Sequence, residues 1–395
     1  MKKSCHISIG LLLSLMFICH SVYGWTGANR LSWTSGDSIE PAVAIAGSHD
    51  IHVVWQEDIS GQGEIFYKKS TDGGNTWSIP IRLTWMPLDS FDPDITIDLF
   101  YNIHIVWVDL ASGYWNIYYK KSTDMGETWS GPKQLTWTMG NTYYPEIVAD
   151  QNGVLYAFWP KNPAPMDPNY DIYYKKSTDS GETWSPLQRL TWNSGGSTSP
   201  AVTVVPYEEL HVVWQDSTPG LSEIFYKSST NGGTNWGPTK RLTWSGKAYH
   251  PDICEENGDL HIIWYNYPTP GVYPDIYYKM KEKGSSSWSG LDRLTWTAGE
   301  SLYPRITQVG LANRIYAVWY DDFLGNNEIY VKVKDTTSGN WGNVTRLTWL
   351  AGESSNPVID FFTEFGPTYF IHVLWNDNNK GNYEIYYKKD SFFTF

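Results

Sequence analysis

The chain has 395 residues and a formal net charge of −13, with 18% charged and 16% aromatic residues. The negative charge argues against nucleic acid and against anionic membrane surfaces as partners. The many aromatic residues, frequent Gly and Pro, and short β-branched runs are typical of an all-β protein with many turns.

The first residues have the pattern of a targeting segment. Lys2 and Lys3 precede the apolar run from Ile7 to Ile18, and Gly24 is a small residue at a plausible cleavage point. We therefore predict a signal peptide at residues 1–24, and a mature chain that is secreted or periplasmic after cleavage near Gly24. No later apolar stretch approaches the roughly 18 residues that a membrane span needs, so no span is predicted.

One short motif returns along the rest of the chain. It reads R-L-T-W at Arg82 to Trp85, and seven copies end at Trp33, Trp85, Trp137, Trp192, Trp244, Trp296 and Trp349. The copies follow one another at intervals of 52 to 55 residues, and a fixed period in this range indicates a repeat architecture. Because each unit needs its neighbours to bury its apolar faces, residues 25–395 are predicted to form a single domain of seven copies.

Each copy contains four predicted strands. In the first they are strand A at Ile39 to Ala46, strand B at Ile51 to Gln56, strand C at Glu64 to Ser70 and strand D at Thr76 to Thr84. The strands are short, turn residues separate them, and no stretch has a sustained helical period. Four antiparallel strands in each of seven copies predict an all-β, seven-bladed β-propeller.

The turn between strands C and D carries a family resemblance. It reads S-T-D-G-G-N-T-W at Ser70 to Trp77, and the pattern S-x-D-x-G-x-T-W recurs at Ser122 to Trp129 and at Ser177 to Trp184. This pattern resembles the Asp-box of sialidase-type propellers, also called the BNR repeat. The resemblance implies the fold more strongly than an activity. It also implies that the boxes are structural turns on the face opposite the active site.

The N-terminal segment supplies the missing end of the seventh copy. Trp25 precedes Trp33 by the same spacing as Trp77 precedes Trp85, so this segment is predicted to be strand D of the last blade and to close the ring. The predicted register makes Glu64 face Arg82 across strands C and D, as an exposed pair. The same reasoning pairs Asp171 with Arg189, Glu223 with Arg241, Asp275 with Arg293, Glu328 with Arg346, and Glu384 with Arg30. Asn116 and Gln134 replace both partners in the second blade.

Histidine and tryptophan recur once per blade, and we interpret both as structural. A residue that is spread around a ring does not converge on one metal, so no metal site and no cofactor is predicted for His52, His104, His211, His261 and His372. Tryptophans at three repeated positions are predicted to fill the gaps between blades. Trp115 has no counterpart in the other copies.

The inner strands are where the repeat changes from blade to blade. Positions two and four after a repeated Pro in strand A are largely apolar, as at Val43, so this face is predicted to pack between blades. The positions just before and just after the Pro carry carboxylates, aromatic residues, His and Arg, and we predict that this alternate face lines an axial channel. The ligand-binding candidates are Glu40, Asp92, Asp94, Tyr144, Glu146, His250, Asp252, Tyr303 and Arg305, together with Trp115 and neighbouring aromatics such as Phe91, Tyr143 and Tyr249. Carboxylates and aromatic residues around a concave mouth suit a glycan. No catalytic residue is identified.

Three classes of function remain open. The first is an exported, non-catalytic protein, expected to be a monomer, that binds a glycan or another cell-surface ligand at the channel mouth. The second is a glycoside hydrolase or lyase that uses Asp92, Asp94, Glu146, Asp252 and Arg305. A true sialidase is not expected, because Arg305 and Arg314 alone are free of the structural pairs and no arginine triad is apparent. The third is a protein-interaction scaffold with the expansion at 161–170 as its contact.

Overall fold

The computed structural model describes residues 24–393 except 48, 86–87, 111–112, 138–139, 163–168, 206–207, 269–271, 310–311 and 364–367. The predicted signal peptide up to residue 23, and most of the 161–170 expansion, lie outside these residues. The described chain forms seven antiparallel sheets in a ring, which confirms the predicted seven-bladed β-propeller.

Each blade runs from its inner strand A to its outer strand D. Blade 1 comprises Ser38–Ala46, Asp50–Asp58, Gly63–Ser70 and Ile81–Arg82. Blade 2 comprises Ser90–Ile97, Ile103–Asp109, Asn116–Ser122 and Lys133–Gln134. Blade 3 comprises Glu146–Ala149, Leu155–Lys161, Asp171–Ser177 and Gln188–Arg189. Blade 4 comprises Ser197–Val205, Glu209–Asp216, Glu223–Ser229 and Lys240–Arg241.

The remaining blades follow the same order. Blade 5 comprises Ala248–Glu256, Asp259–Asn266, Asp275–Lys281 and Asp292–Arg293. Blade 6 comprises Ser301–Val309, Arg314–Asp321, Glu328–Asp335 and a split outer edge, Asn340–Trp341 and Thr345–Arg346. Blade 7 comprises Ser354–Thr363, Thr368–Asp377, Glu384–Phe393 and, from the other end of the chain, Asn29–Arg30.

The N-terminal strand closes the ring as predicted. Asn29 pairs with Tyr387, Arg30 pairs with Tyr386, and the Leu31 amide donates to the Ile385 carbonyl oxygen at 2.7 Å. Leu31 is buried in the core between blades 7 and 1. The last blade is therefore completed by residues that the chain contributes some 350 positions earlier, as the 354-residue separation of Arg30 and Glu384 shows.

Strand D is shorter than the sequence analysis predicted. In blade 1 the regular ladder is limited to Ile81–Arg82, and the strand that carries the equivalent arginine or glutamine is two residues long in every blade. The predicted register is also wrong by two residues, since the Cα partner of Arg82 is Phe66 rather than Glu64. The Glu64–Arg82 ion pair nevertheless forms, because the long arginine side chain reaches diagonally across the strands.

All six predicted acid–base pairs are present as ion pairs. They are Glu64–Arg82, Asp171–Arg189, Glu223–Arg241, Asp275–Arg293, Glu328–Arg346 and Glu384–Arg30. They are not exposed pairs, because every carboxylate is buried and the arginine side chains are 21–34% exposed. In the other blades the arginine also donates to a backbone carbonyl oxygen, as Arg82 Nε does to that of Thr84. In blade 2, Gln134 makes the equivalent bond by donating to the Thr136 carbonyl oxygen at 2.6 Å.

Two of the three repeated tryptophan positions fill gaps between blades. The strand B tryptophans, such as Trp55 and Trp107, are fully buried. The tryptophans that end the predicted Asp-boxes pack edge-on against a tyrosine of the preceding blade, as Trp129 does against Tyr67 at 5.0 Å. At the third position, the tryptophan that ends each R-L-T-W copy, the prediction is wrong because this tryptophan is exposed in every copy.

The repeated histidines have one structural role. Each is buried in strand B, and its Nδ1 lies within hydrogen-bond distance of a strand C tyrosine hydroxyl, as in His52 with Tyr67 at 2.6 Å. Among the described residues no group of three or more His, Cys, Asp or Glu side chains has the arrangement of a metal site. Within the same residues no helix is long and apolar enough to cross a membrane.

Acid sensitivity is the expected consequence of burying these histidines. Burial, together with the charge of Lys69, lowers the pKa of His52 to about 3, whereas an unfolded chain has the ordinary value near 6.5. Below pH 6.5 the unfolded state takes up a proton that the folded state does not. Stability is therefore present above that pH and is lost as the pH falls. One such histidine costs about 2 kcal/mol at pH 5.

We expect His52→Tyr to reduce the loss of unfolding free energy between pH 7 and pH 5 by about 2 kcal/mol, measured by urea titration. Blade 3 already has Tyr156 at this position, so the fold accepts the residue. The reverse change, Tyr156→His, should increase the loss. If the unmodified protein and both variants have the same pH dependence of stability, the buried histidines are not the cause of the acid sensitivity.

Candidate functional site

A β-bulge in the inner strand brings side chains to the channel mouth. The residue before the repeated Pro has a positive φ in all seven blades: Glu40, Asp92, Tyr144, Ser199, His250, Tyr303 and Asn356, with φ between 44° and 53°. In blade 1 the strand register shifts between Ile39 and Ala42, which leaves Glu40 and Pro41 outside the ladder. A bulge redirects a side chain, and here it directs one residue per blade to the axis.

The channel contains most of the predicted ligand-binding residues. It has a volume of about 480 Å³, within the usual range for a small-molecule site. Nine of the predicted ligand-binding residues line it: Glu40, Asp92, Asp94, Tyr144, Glu146, His250, Asp252, Tyr303 and Arg305. The structure thus brings these residues together, while their role in binding stays a prediction.

Trp115 is not one of the lining residues. Its ring packs edge-on against Phe91, with ring centroids 4.6 Å apart, and belongs to the core between blades 2 and 3. Its carbonyl oxygen accepts hydrogen bonds from the amide and the hydroxyl of Thr142. Trp115 therefore packs against Phe91, whose ring lies in turn beside that of Tyr143.

Both faces of strand A contribute to the channel wall, so the predicted division into a packing face and a channel face is not sharp. Ala42 and Ala44 line the channel as predicted and also pack in the core between blades 1 and 2, and Val43, on the face predicted to pack, lines the channel too. Both faces of a propeller strand meet a neighbouring blade, so the inner strand turns its backbone edge to the axis. The polar side chains reach the channel along the seams between blades.

Carboxylates at these seams satisfy the free backbone edge of the next blade. Asp94 accepts the amide hydrogen of Ile147 at 2.7 Å, and Asp252 accepts that of Ile306 at 2.8 Å. At the mouth, Asp92 likewise accepts from the Tyr144 amide at 3.2 Å. These three carboxylates therefore have a structural role, whatever else they bind.

The mouth combines two neighbouring carboxyl groups with aromatic rings. The Asp92 amide donates to Glu40 Oε2 at 3.3 Å. Burial, and then the charge and hydrogen bonding of Glu40, raise the pKa of Asp92 well above its ordinary value. Tyr144 and Tyr303 are 52% and 39% exposed, and the His250 ring lies 4.3 Å from that of Tyr303.

A second group of charged residues also lines the channel. Arg305 Nη1 is 4.0 Å from Asp252 Oδ1. Burial lowers the arginine pKa, but the charges of Asp252, Glu146 and Asp94 outweigh this and raise it. Burial also raises the pKa of Asp94 to about 6, and burial followed by the charge of Asp94 raises that of Glu146. Three carboxyl groups with one guanidinium leave the channel acidic.

A side pocket that the sequence analysis missed opens beside the mouth. Its volume is about 260 Å³, and Tyr144, Ser199 and His250 line both it and the channel. Tyr143, Pro160, Tyr170, Thr198 and Gln215 complete its wall. The rings of Tyr143 and Tyr170 lie 6.0 Å apart although the two residues are distant in sequence. The one sequence signal for this pocket is that Tyr170 stands at the end of the blade 3 expansion.

The comparisons with known proteins identify the fold. No protein-family model and no curated protein sequence matches the chain. A protein of unknown function from Dyadobacter fermentans is similar in structure, with TM-score 0.58 and 14% identity over 78% of this chain and 97% of that one. The polysaccharide lyase Uly1 has TM-score 0.57 and 12% identity over 95% and 94%. The NanB sialidase of Streptococcus pneumoniae has TM-score 0.51 and 13% identity over 74% of this chain and 67% of that one. The chain has the sialidase-like propeller fold.

Proposed function

We propose that this protein binds carbohydrate at the mouth of its axial channel without catalysing a reaction. The observation that carries the proposal is the pair of exposed rings, Tyr144 and Tyr303, presented on bulges beside Glu40 and Asp92. The C–H face of a sugar stacks on an aromatic ring while its hydroxyl groups bond to carboxyl oxygens. The mouth offers both kinds of contact within one cavity.

The charge of the site indicates which sugars it accepts. Of the described residues that line the channel, Arg305 is the one guanidinium, and Asp252, Glu146 and Asp94 surround it. Its positive charge is therefore already compensated. An acidic sugar would meet net negative charge, so a neutral or amino sugar is the expected ligand, and sialic acid is not.

A glycoside hydrolase or lyase is the second candidate. It is favoured by the Glu40–Asp92 pair, in which the raised pKa of Asp92 provides a proton donor next to a second carboxyl group. The likeness in fold to NanB sialidase and to the polysaccharide lyase Uly1 is consistent with it. Against it, Asp94 and Asp252 of the proposed catalytic cluster are engaged with backbone amides.

The predicted location and domain limits agree with a glycan ligand. We propose that residues 1–24 are a cleaved leader, that residues 25–395 form one domain, and that the mature chain acts outside the cytoplasm. The segments that resemble Asp-boxes would then be turns on the face away from the ligand. A protein-binding role for 161–170 concerns residues that lie largely outside the described ones.

A glycan array, run beside a panel of chromogenic and fluorogenic glycosides, tests the proposal. We expect binding to neutral or amino sugars, no binding to sialosides and no turnover. Turnover that survives purification and disappears in Asp92→Asn would establish the enzyme. Binding confined to sialosides or to proteins would refute the proposed ligand class.

A further inference from the structure

Seven exposed tryptophans surround the outside of the propeller. They close the R-L-T-W copies, are 63–72% exposed, and are Trp33, Trp85, Trp137, Trp192, Trp244, Trp296 and Trp349. Each follows the outer strand D, at the point where the chain turns inward to strand A of the next blade. A single exposed tryptophan needs no explanation, but seven equivalent ones do.

The other residues of the motif fix the tryptophan in place. In blade 1, Arg82 Nε donates to the Thr84 carbonyl oxygen at 2.6 Å and its Nη2 pairs with Glu64. Leu83 is buried in the core, and the Thr84 hydroxyl donates to Glu64. Trp85 is therefore held by its neighbours while its own ring stays in water.

Each ring lies near cations and is largely exposed to solvent. The ammonium of a lysine from the next blade lies 5.0–5.8 Å from the ring centroid, as Lys120 does for Trp85. Lys120 also donates to the Leu83 carbonyl oxygen, and burial lowers its pKa. In six of the seven sites an arginine guanidinium lies 5.7–5.9 Å from the ring, as Arg82 does.

The arginine leaves one donor beside the exposed ring. Arg82 uses Nε and Nη2 in the contacts above, and Nη1 has no hydrogen-bond partner among the described residues. Its side chain is 30% exposed. A planar ring with an adjacent N–H donor matches a pyranose, whose C–H face stacks while a hydroxyl oxygen accepts the hydrogen bond. A buried carboxylate neutralises each guanidinium, and the lysine ammonium is engaged with a backbone carbonyl oxygen, as Lys120 is with that of Leu83, so we expect no strong preference for an anion.

We propose that this tryptophan rim is a second, multivalent binding surface for neutral polysaccharides, separate from the channel mouth. One pyranose stacks on each tryptophan, and a chain or a cluster of chains engages several sites at once. Linked weak sites raise avidity without new contacts, so seven shallow platforms together retain a polymer. Acidic polysaccharides are disfavoured because the whole chain carries a net charge of −13.

Affinity electrophoresis measures this binding directly, in native gels that contain mixed-linkage β-glucan, xylan or galactomannan, with alginate as the acidic polymer. The first variant carries Leu, and the matched control carries Tyr, at Trp85, Trp192, Trp244 and Trp296. Leu keeps an apolar cover over the lysine but removes the planar ring, whereas Tyr keeps a ring. We expect at least a tenfold loss of affinity for the retained neutral polymer with Leu and less than threefold with Tyr.

Tryptophan fluorescence of the unmodified protein gives an independent readout. Acrylamide quenches exposed indoles, so the polymer retained in the gels should protect them and shift their emission to shorter wavelength. No retention by any neutral polymer, retention by alginate alone, equal retention of the Leu variant, or unchanged quenching would overturn the proposal. Loss of retention through mouth substitutions alone would overturn this inference and leave the proposed function standing.

Discussion

A chain that lacks residues 25–33 is expected to lose the closed ring and to aggregate. The deletion removes strand D of blade 7, whose Asn29 and Arg30 pair with the strand at Glu384–Phe393. The uncovered strand edge has unpaired backbone groups that can add a strand from another molecule. We expect a melting temperature lower by 10 °C or more and soluble oligomers, measured by calorimetry and size-exclusion chromatography.

The energetic reason lies in the groups that the segment covers. Glu384 is buried, and the segment supplies Arg30 and Ser32 as its partners. Removing one partner of a buried ion pair costs about 3–5 kcal/mol, and uncovering the core around Leu31 adds about 2 kcal/mol. The sum is a large share of the roughly 5–15 kcal/mol that stabilises a typical domain.

A chain that begins at Trp25 is the matched control for this deletion. It lacks the predicted signal peptide but keeps every contact of the closing strand, including the Thr26 amide bond to the Lys389 carbonyl oxygen at 2.9 Å. It should melt like the longer chain. A 25–33 deletion that stays monomeric at an unchanged melting temperature would show that the propeller does not depend on this closure.

The fold could be predicted because the repeat constrains it many times over. The common spacing of R-L-T-W fixes the number of blades, and the paired loss of acid and base at Asn116 and Gln134 indicates which residues meet. The exact register could not be predicted, because the arginine side chain spans two positions. Phe66, rather than Glu64, is therefore the backbone partner of Arg82.

Three features escaped prediction for physical reasons. A residue before proline ordinarily prefers extended backbone, so the left-handed conformation of Tyr144 and its equivalents was not expected. Repeated tryptophans ordinarily indicate a buried core, and nothing in the R-L-T-W motif itself shows that its leucine, rather than its tryptophan, is the buried residue. The side pocket depends on Tyr143, Tyr170 and Gln215 from neighbouring blades, which only the folded ring brings together.

Replacing Tyr144 and Tyr303 by asparagine is expected to abolish sugar binding at the mouth. Asparagine tolerates positive φ and already occupies the equivalent position in blade 7, as Asn356, so the bulge is kept while the ring is lost. Each lost aromatic contact of this kind costs about 2 kcal/mol, and the double variant should bind at least roughly 100-fold more weakly. Calorimetric titration with the best oligosaccharide from the array measures the change.

Stability and binding should separate between the two faces of the propeller. Ser199→Asn puts asparagine on the equivalent bulge of blade 4 without removing a ring, so it should leave the melting temperature nearly unchanged and shows whether asparagine itself harms the bulge. Asp72, in a segment that resembles an Asp-box, accepts hydrogen bonds from Ser70, Asn75 and Thr76 at 2.6–3.0 Å. Asp72→Ala should lower the melting temperature and spare affinity. If the sugar is lost with Asp72→Ala and kept without Tyr144 and Tyr303, the ligand binds the face of the propeller that carries these turns.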